Sequence, residues 1–111
     1  PLPNTNATQF KGPAMKPNRT LFNGSADFLP PDWHQFDALE IHPVCEDEAE
    51  GFSEIAADEA HATYWSVYGH LTTGGVDCIT DVSTFSLAFA AAEKMAELAA
   101  KEGTTLKITY A

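Results

Sequence analysis

Residues 64–103 constrain the fold of this chain more than any other stretch, and they read YWSVYGHLTTGGVDCITDVSTFSLAFAAAEKMAELAAKEG. Residues 64–71 alternate with the two-residue period that is typical of a half-buried strand. The more apolar members of this alternation are Trp65, Val67, Gly69 and Leu71. The glycines at 74–75 supply the positive φ that a tight turn requires, and residues 76–82 return as a second strand. The sequence therefore predicts a β-hairpin.

The register of this hairpin follows from its apolar residues, because a slip by one residue would expose all of them. Pairing Leu71 with Val76 collects most of them on one face. The pairs on that face are Leu71–Val76, Gly69–Cys78, Val67–Thr80 and Trp65–Val82. The pairs on the opposite face are His70–Asp77, Tyr68–Ile79 and Ser66–Asp81.

A long amphipathic helix is predicted over residues 84–102. Ser83 or Thr84 suits its N-cap, because a side-chain hydroxyl accepts a hydrogen bond from a free backbone N–H group, and Gly103 suits its end. The side that we expect to face a sheet consists of Phe85, Ala88, Phe89, Ala92, Met95, Ala96 and Ala99. Residues 106–110 then alternate as a last strand.

The rest of the chain completes one domain and an arm. Residues 36–45 (FDALEIHPVC) are predicted to form a strand, in which Pro43 indicates an edge position or a bulge because it donates no backbone hydrogen bond. Residues 1–35 are rich in Pro, Asn, Thr and Gly and lack a sustained period, so we expect an irregular arm. Residues 36–111 then form a single α+β domain. Its predicted architecture is an antiparallel sheet of about four strands with one long C-terminal helix packed on one face.

The charge of the chain limits its partners. Sixteen acidic residues oppose six basic ones, for a formal net charge of −10. No Lys or Arg occurs between Arg19 and Lys94, whereas thirteen Asp or Glu residues lie from Asp27 to Asp81. This distribution argues against direct binding to nucleic acid or to an anionic membrane, because both require cations. It is compatible with a basic protein partner, a metal ion, or solubility alone.

The densest acidic run is 46–59, which holds seven carboxylates in fourteen residues. We expect a loop and a short strand that project this charge into solvent. Closely spaced carboxylates imitate nucleic-acid phosphates and would occupy a basic protein surface. The alternatives are a solvated face without a partner and a hard cation, although the spacing differs from that of an EF-hand. The candidate partner-binding residues are Glu46, Asp47, Glu48, Glu50, Glu54, Asp58 and Glu59.

Histidine and cysteine side chains form the second candidate site. Residues 42–45 hold two soft ligands three positions apart, but a strand places such positions on opposite faces, and the paired spacings of a structural zinc site are missing. Cys78 beside His70 would make a nucleophile–base pair, and Asp77 beside His70 would orient the histidine as a base. We assign no catalytic residue, metal ligand or cofactor, and we keep a metal-dependent or His-based small enzyme as the alternative function. The metal ligands considered are His42, Cys45, His61, His70 and Cys78.

The location and the assembly of the protein are also expectations from the sequence. The 111 residues contain no apolar run of transmembrane length and no basic-then-apolar leader, so we expect a cytoplasmic protein with reduced cysteines. The arm holds Lys11, Lys16 and Arg19, three of the six cations. A basic arm on an acidic body would dock on its own domain or join a second copy of the chain.

The run from Tyr64 to Leu71, followed by Gly74–Ile79 and the alanine-rich helix, resembles small uncharacterised proteins carried by bacterial plasmids and integrative elements. The resemblance covers residues 36–103 and involves a hairpin and a helix, so it implies fold more than chemistry. It implies a bacterial accessory protein, for which binding to a host factor is the expectation. The function predicted from the sequence is a non-enzymatic acidic interaction protein that binds a basic protein surface as a nucleic-acid mimic.

Overall fold

A computed structural model describes residues 17–47, 52–56 and 59–110. The regular elements are β1 (Phe36–Asp47), β2 (Phe52–Ile55), β3 (Tyr64–Leu71), β4 (Val76–Val82), α1 (Phe85–Lys101) and β5 (Lys107–Tyr110). Short 3₁₀ turns occur at Ala26–Phe28, Trp33–Gln35 and Glu59–His61. The predicted helix and strands are therefore present, with ends that differ by one or two residues.

The five strands form one sheet in the order β2–β1–β3–β4, and β5 also pairs with β1. The predicted α+β class and the packing of one long helix on the sheet are confirmed. The prediction of an antiparallel sheet needs correction, because β5 runs parallel to β1. Helix α1 carries the chain back along the sheet, so the strand that follows it runs in the direction of β4 and of β1.

Strand β1 is the centre of the sheet and has partners along both edges. One edge pairs with β3, while the other pairs first with β5, at residues 38–41, and then with β2, at residues 44–47. Pro43 falls between these two partners, and its carbonyl accepts a hydrogen bond from the Ala56 N–H at 2.8 Å. Pro43 thus occupies neither an edge strand nor a bulge, the two positions expected from the sequence. It lies at a break between two partner strands, where no ladder hydrogen bond requires its missing N–H group.

The hairpin of β3 and β4 follows the predicted register over half of its length. The pairs Trp65–Val82, Ser66–Asp81 and Val67–Thr80 are confirmed. A β-bulge then leaves Ile79 without a partner and shifts the remaining pairs. The shifted pairs are Tyr68–Cys78, Gly69–Asp77 and His70–Val76. Because Ile79 and Thr80 are both buried, the bulge turns two consecutive residues toward the interior, which a regular strand does not allow.

Helix α1 packs its small residues against the sheet. Its N-cap is Thr84, whose hydroxyl oxygen accepts a hydrogen bond from the Leu87 N–H at 3.2 Å. The buried residues of the helix are Ala88, Ala92, Met95 and Ala99. They share one core with apolar residues of the sheet such as Leu39 and Ile41. In the described part of the chain, no helix has both the length and the apolar composition needed to span a bilayer.

The described part of the predicted arm, residues 17–35, covers the outer edge of β4. Phe22 and Trp33 belong to the core, with ring centroids 6.1 Å apart. The Gly24 N–H donates to the Ile79 carbonyl at 2.9 Å. Asn23 binds the backbone of Asp81 with its side chain, once as donor and once as acceptor, at 2.7 Å each. These hydrogen bonds satisfy backbone groups that an edge strand would otherwise leave free.

Candidate functional site

The predicted acidic site lies at the end of the sheet where β1 extends beyond β3. Strand β3 accompanies β1 only as far as Val44, whereas β2 pairs with β1 from Val44 to Asp47. Within the described residues, β1 and β2 therefore continue as a two-stranded ribbon. Glu46 and Asp47 lie in the β1 strand of this ribbon. Glu54 lies in the β2 strand, opposite Cys45 of β1.

The turn at Glu59–His61 joins the same end of the sheet. The Thr63 N–H donates to the Val44 carbonyl at 2.7 Å, and the Glu46 N–H donates to the Thr63 hydroxyl at 3.2 Å. Both Glu46 and Glu59 are exposed. We call Glu46, Asp47, Glu54 and Glu59 the acidic end. The other three predicted residues, Glu48, Glu50 and Asp58, lie outside the described residues.

The described cations lie elsewhere. The Arg19 guanidinium sits 4.6 Å from the ring centroid of Phe28, and Lys94 pairs with Glu97 at 2.9 Å, which lowers the pKa of the Glu97 carboxyl. Lys101 ends α1, and Lys107 lies opposite Ala38 near the start of β1. None of these four forms an ion pair with Glu46 or Glu59, the two residues of the acidic end whose side chains the structure describes.

The face of the sheet opposite α1, which we call the open face, carries two histidine–carboxylate pairs. His42 Nε2 lies 2.8 Å from Glu40 Oε1, and His70 Nδ1 lies 2.7 Å from Asp37 Oδ1. The predicted pairing of His70 with Asp77 is therefore wrong. The β4 bulge moves Asp77 opposite Gly69, and an irregularity of β1 between Phe36 and Ala38 frees Asp37 to reach His70 instead.

A second polar group on the open face surrounds Asp81. The Ser66 hydroxyl donates to Asp81 Oδ1 at 2.5 Å, and the Cys78 thiol donates to the same oxygen at 3.3 Å. Burial, helped by the negative charge of Asp81, raises the pKa of the Cys78 thiol to about 12. Because the thiolate is the nucleophilic form, Cys78 is poorly suited to the nucleophile role considered from the sequence.

Two aromatic side chains of the open face complete this layer. The His42 and Tyr68 rings lie 5.8 Å apart between centroids, and burial raises the pKa of the Tyr68 hydroxyl. His42 Nδ1 is buried and has no hydrogen-bond partner among the described residues. The open face is thus a polar surface held by neighbouring side chains, and it contrasts with the apolar face under α1.

The structure does not gather the metal ligands considered from the sequence. Within the described residues, no three His, Cys, Asp or Glu side chains lie close enough to hold a metal ion. Cys45 and Cys78 are both free thiols. Comparison of the chain with models of protein families, with curated proteins and with solved structures returned no match.

The sequence analysis missed the Asp37–His70 pair. Asp37 and His70 are 33 positions apart, and the pair exists because β1 is irregular at its start. Residues 36–38 contain no Gly or Pro, the residues that would have indicated a bulge. The alternation of Phe36, Ala38 and Glu40 would instead have placed Asp37 on the face under the helix.

Proposed function

We propose that this protein is a non-enzymatic interaction protein whose acidic end binds a basic protein surface and occupies it in place of nucleic-acid phosphates. The observation that supports this proposal is the placement of carboxylates on a ribbon that β3 does not flank. The turn with Glu59 adds a further carboxylate at that end. No described Lys or Arg pairs with Glu46 or Glu59, whose side chains the structure describes.

The physical basis is electrostatic complementarity. In a chain with a net charge of −10, carboxylates grouped at one end would steer a positively charged partner to that end and raise the association rate. Exposed charges of this kind are screened over about 8–10 Å at physiological salt, so binding must weaken as salt rises. The same field repels nucleic acid and anionic lipid.

Binding to an octalysine peptide tests the proposal. One variant reverses four charges of the acidic end: Glu46→Lys, Asp47→Lys, Glu54→Lys and Glu59→Lys. A matched control reverses four exposed carboxylates elsewhere: Asp27→Lys, Asp77→Lys, Glu93→Lys and Glu102→Lys. Each reversal adds two charges, so both variants move from −10 to −2. We expect the acidic-end variant to lose at least about tenfold more affinity than the control. Equal losses would mean that net charge alone drives binding and would overturn the proposal.

The second candidate function is a small His-based enzyme, and the Asp37–His70 pair is the observation that favours it. A carboxylate on one ring nitrogen fixes the histidine ring and leaves the other nitrogen for proton transfer. Cys78 is a poor nucleophile for such an enzyme, because burial raises the pKa of its thiol to about 12. Elemental analysis of the purified protein tests the metal-dependent form of this alternative, since a stoichiometric transition metal would favour it over the interaction protein.

Three further parts of the proposal depend on the sequence alone. They are a cytoplasmic location, a bacterial mobile-element origin, and self-association through the N-terminal arm. Because Phe22 and Trp33 belong to the core, a deletion that tests the arm should stop at residue 16. If the arm joins two copies, light scattering will show a smaller mass for this deletion than the lost residues explain.

A further inference from the structure

A polar cleft of about 380 Å³ lies on the open face where β5, β1 and β3 run side by side. It is lined by Asp37, Ala38, Glu40, His70, Lys107 and Thr109. The volume falls within the range of small-molecule sites, but the lining is charged and not apolar. A ligand of this cleft must therefore be held by charge and hydrogen bonds.

The register of three strands explains the shape of the cleft. Ala38 lies opposite Lys107 on one side and opposite His70 on the other. Neighbouring strands are about 4.8 Å apart, so Lys107 and His70 stand on backbones about 10 Å apart with only a methyl group between them. The small side chain of Ala38 thus leaves a trough between a cation and an imidazole.

The carboxylates of the cleft are held by histidines and not by the lysine. Asp37 uses Oδ1 to bind His70, and Glu40 uses Oε1 to bind His42 outside the cleft. This leaves Asp37 Oδ2 and Glu40 Oε2 as acceptors. Lys107 makes no ion pair with either carboxylate, or with any other described one, although all three residues line the same cleft.

The bulge at the start of β1 contributes directly to this arrangement. Without it, Asp37 would lie on the face under α1, since successive strand residues point to opposite faces. The register shift between Phe36 and Ala38 lets Asp37 reach His70 on the open face. Bulges that redirect one side chain are frequent beside binding sites.

We propose that this cleft binds a small zwitterion, a molecule with one carboxylate and one ammonium group, which is the chemical class of the free amino acids. The carboxylate of the ligand pairs with Lys107, and its ammonium group pairs with Asp37 and Glu40. Lys107 does not pair with Asp37 or Glu40 in the cleft. A bound zwitterion therefore gives the lysine an anionic partner and the two carboxylates a cationic one. This site is separate from the acidic end and does not depend on the function proposed for it.

Chemical-shift mapping on the full chain tests the proposal. The probes are glycine, β-alanine and γ-aminobutyrate, whose two charges stand progressively further apart. Butyrate and butylamine serve as analogues with a single charge. We expect at least one zwitterion to shift the backbone amides of residues 38–40, 70 and 107–109. The two single-charge analogues should bind at least about tenfold more weakly, because each lacks one ion pair.

Two substitutions assign the ligand groups to the cleft. Lys107→Gln and Glu40→Gln should each weaken zwitterion binding about tenfold or more. Lys101→Gln and Glu93→Gln make the same charge changes on α1 and should leave binding unchanged. The proposal is overturned if no probe shifts these amides at about 10 mM, if a single-charge analogue binds as well as its zwitterion, or if the cleft variants match their controls. The analogue series on the unsubstituted protein decides the matter even where a variant does not fold.

Discussion

The two faces of the sheet are built from alternate residues of the same strands, yet one is apolar and packs under α1 whereas the other is polar. Under α1, Leu39, Ile41 and Val67 are fully buried and share one core with the helix. On the open face, their neighbours Glu40 and Ser66 make hydrogen bonds to other side chains. The apolar face determines the fold, and the polar face holds the groups that are able to bind or react.

Among these substitutions, that of Ile41 should reduce the free energy of unfolding the most. A small reduction would contradict the assignment of stability to the face under α1. Ile41 is fully buried under α1, so Ile41→Ala should lower the free energy of unfolding by about 2–5 kcal/mol. Its neighbour Glu40 has a side chain that is 23% exposed and one hydrogen bond to His42, so Glu40→Ala should cost only about 1 kcal/mol. Urea unfolding measures both. Equal losses would show that the open face carries as much stability as the core.

Substitution of Gly69 tests how tightly the apolar face is packed. A Cβ atom at Gly69 would lie 2.5 Å from atoms of the Phe36 ring, so Gly69→Ala should destabilise the fold by about 1–3 kcal/mol through overpacking. Phe36→Leu introduced together with Gly69→Ala should cost less than the sum of the two single substitutions, because the clash is relieved. Additive losses in urea unfolding would show that the two residues do not meet as described.

The pH dependence of the free energy of unfolding should reveal a contribution from the Cys78 thiol on the open face. The pKa of Cys78 rises from its ordinary value of 9.0 to about 12, so the folded state keeps a proton that the unfolded chain releases. This contribution is complete below pH 9.0 and is lost as the pH rises toward 12. Burial raises the pKa of Tyr68 in the same direction.

Urea unfolding at pH values on either side of 9.0 measures this effect. We expect the midpoint to fall as the pH rises, and to fall less in Cys78→Ala than in the unsubstituted chain. Tyr68→Phe separates the contribution of the second buried group. A fall of the same size in the Cys78→Ala variant would show that the thiol does not hold its proton in the folded state.

The fold was largely predictable because it depends on local patterns. The alternation of Trp65, Val67 and Leu71, the Gly74–Gly75 turn and the spacing of apolar residues in α1 each specify an element from adjacent residues. The direction of β5 was not specified, because the pattern of a short strand carries no information about its partner. Phe22 and Trp33 of the predicted arm both lie in the core, which the lack of a sustained period in residues 1–35 did not indicate.

The polar sites were less predictable because they depend on two irregularities of the sheet. The bulge at Ile79 separates His70 from Asp77, and the register shift at Asp37 supplies His70 with another carboxylate. A strict two-residue period predicts neither the bulge nor the register shift. The acidic run was visible as composition, but the hydrogen bonds of Thr63, which hold the turn Glu59–His61 at the same end of the sheet as Glu46, were not.

A residue-resolved map of octalysine binding tests the proposed function most directly. Titration of the isotope-labelled protein at low salt should shift the amides of residues 44–47, 52–56 and 59–63 first and most strongly. The shifts should weaken as salt is added, since exposed charges are screened. If the largest shifts instead fall on the open face, on α1, or evenly over every exposed carboxylate, the acidic end is not the docking surface.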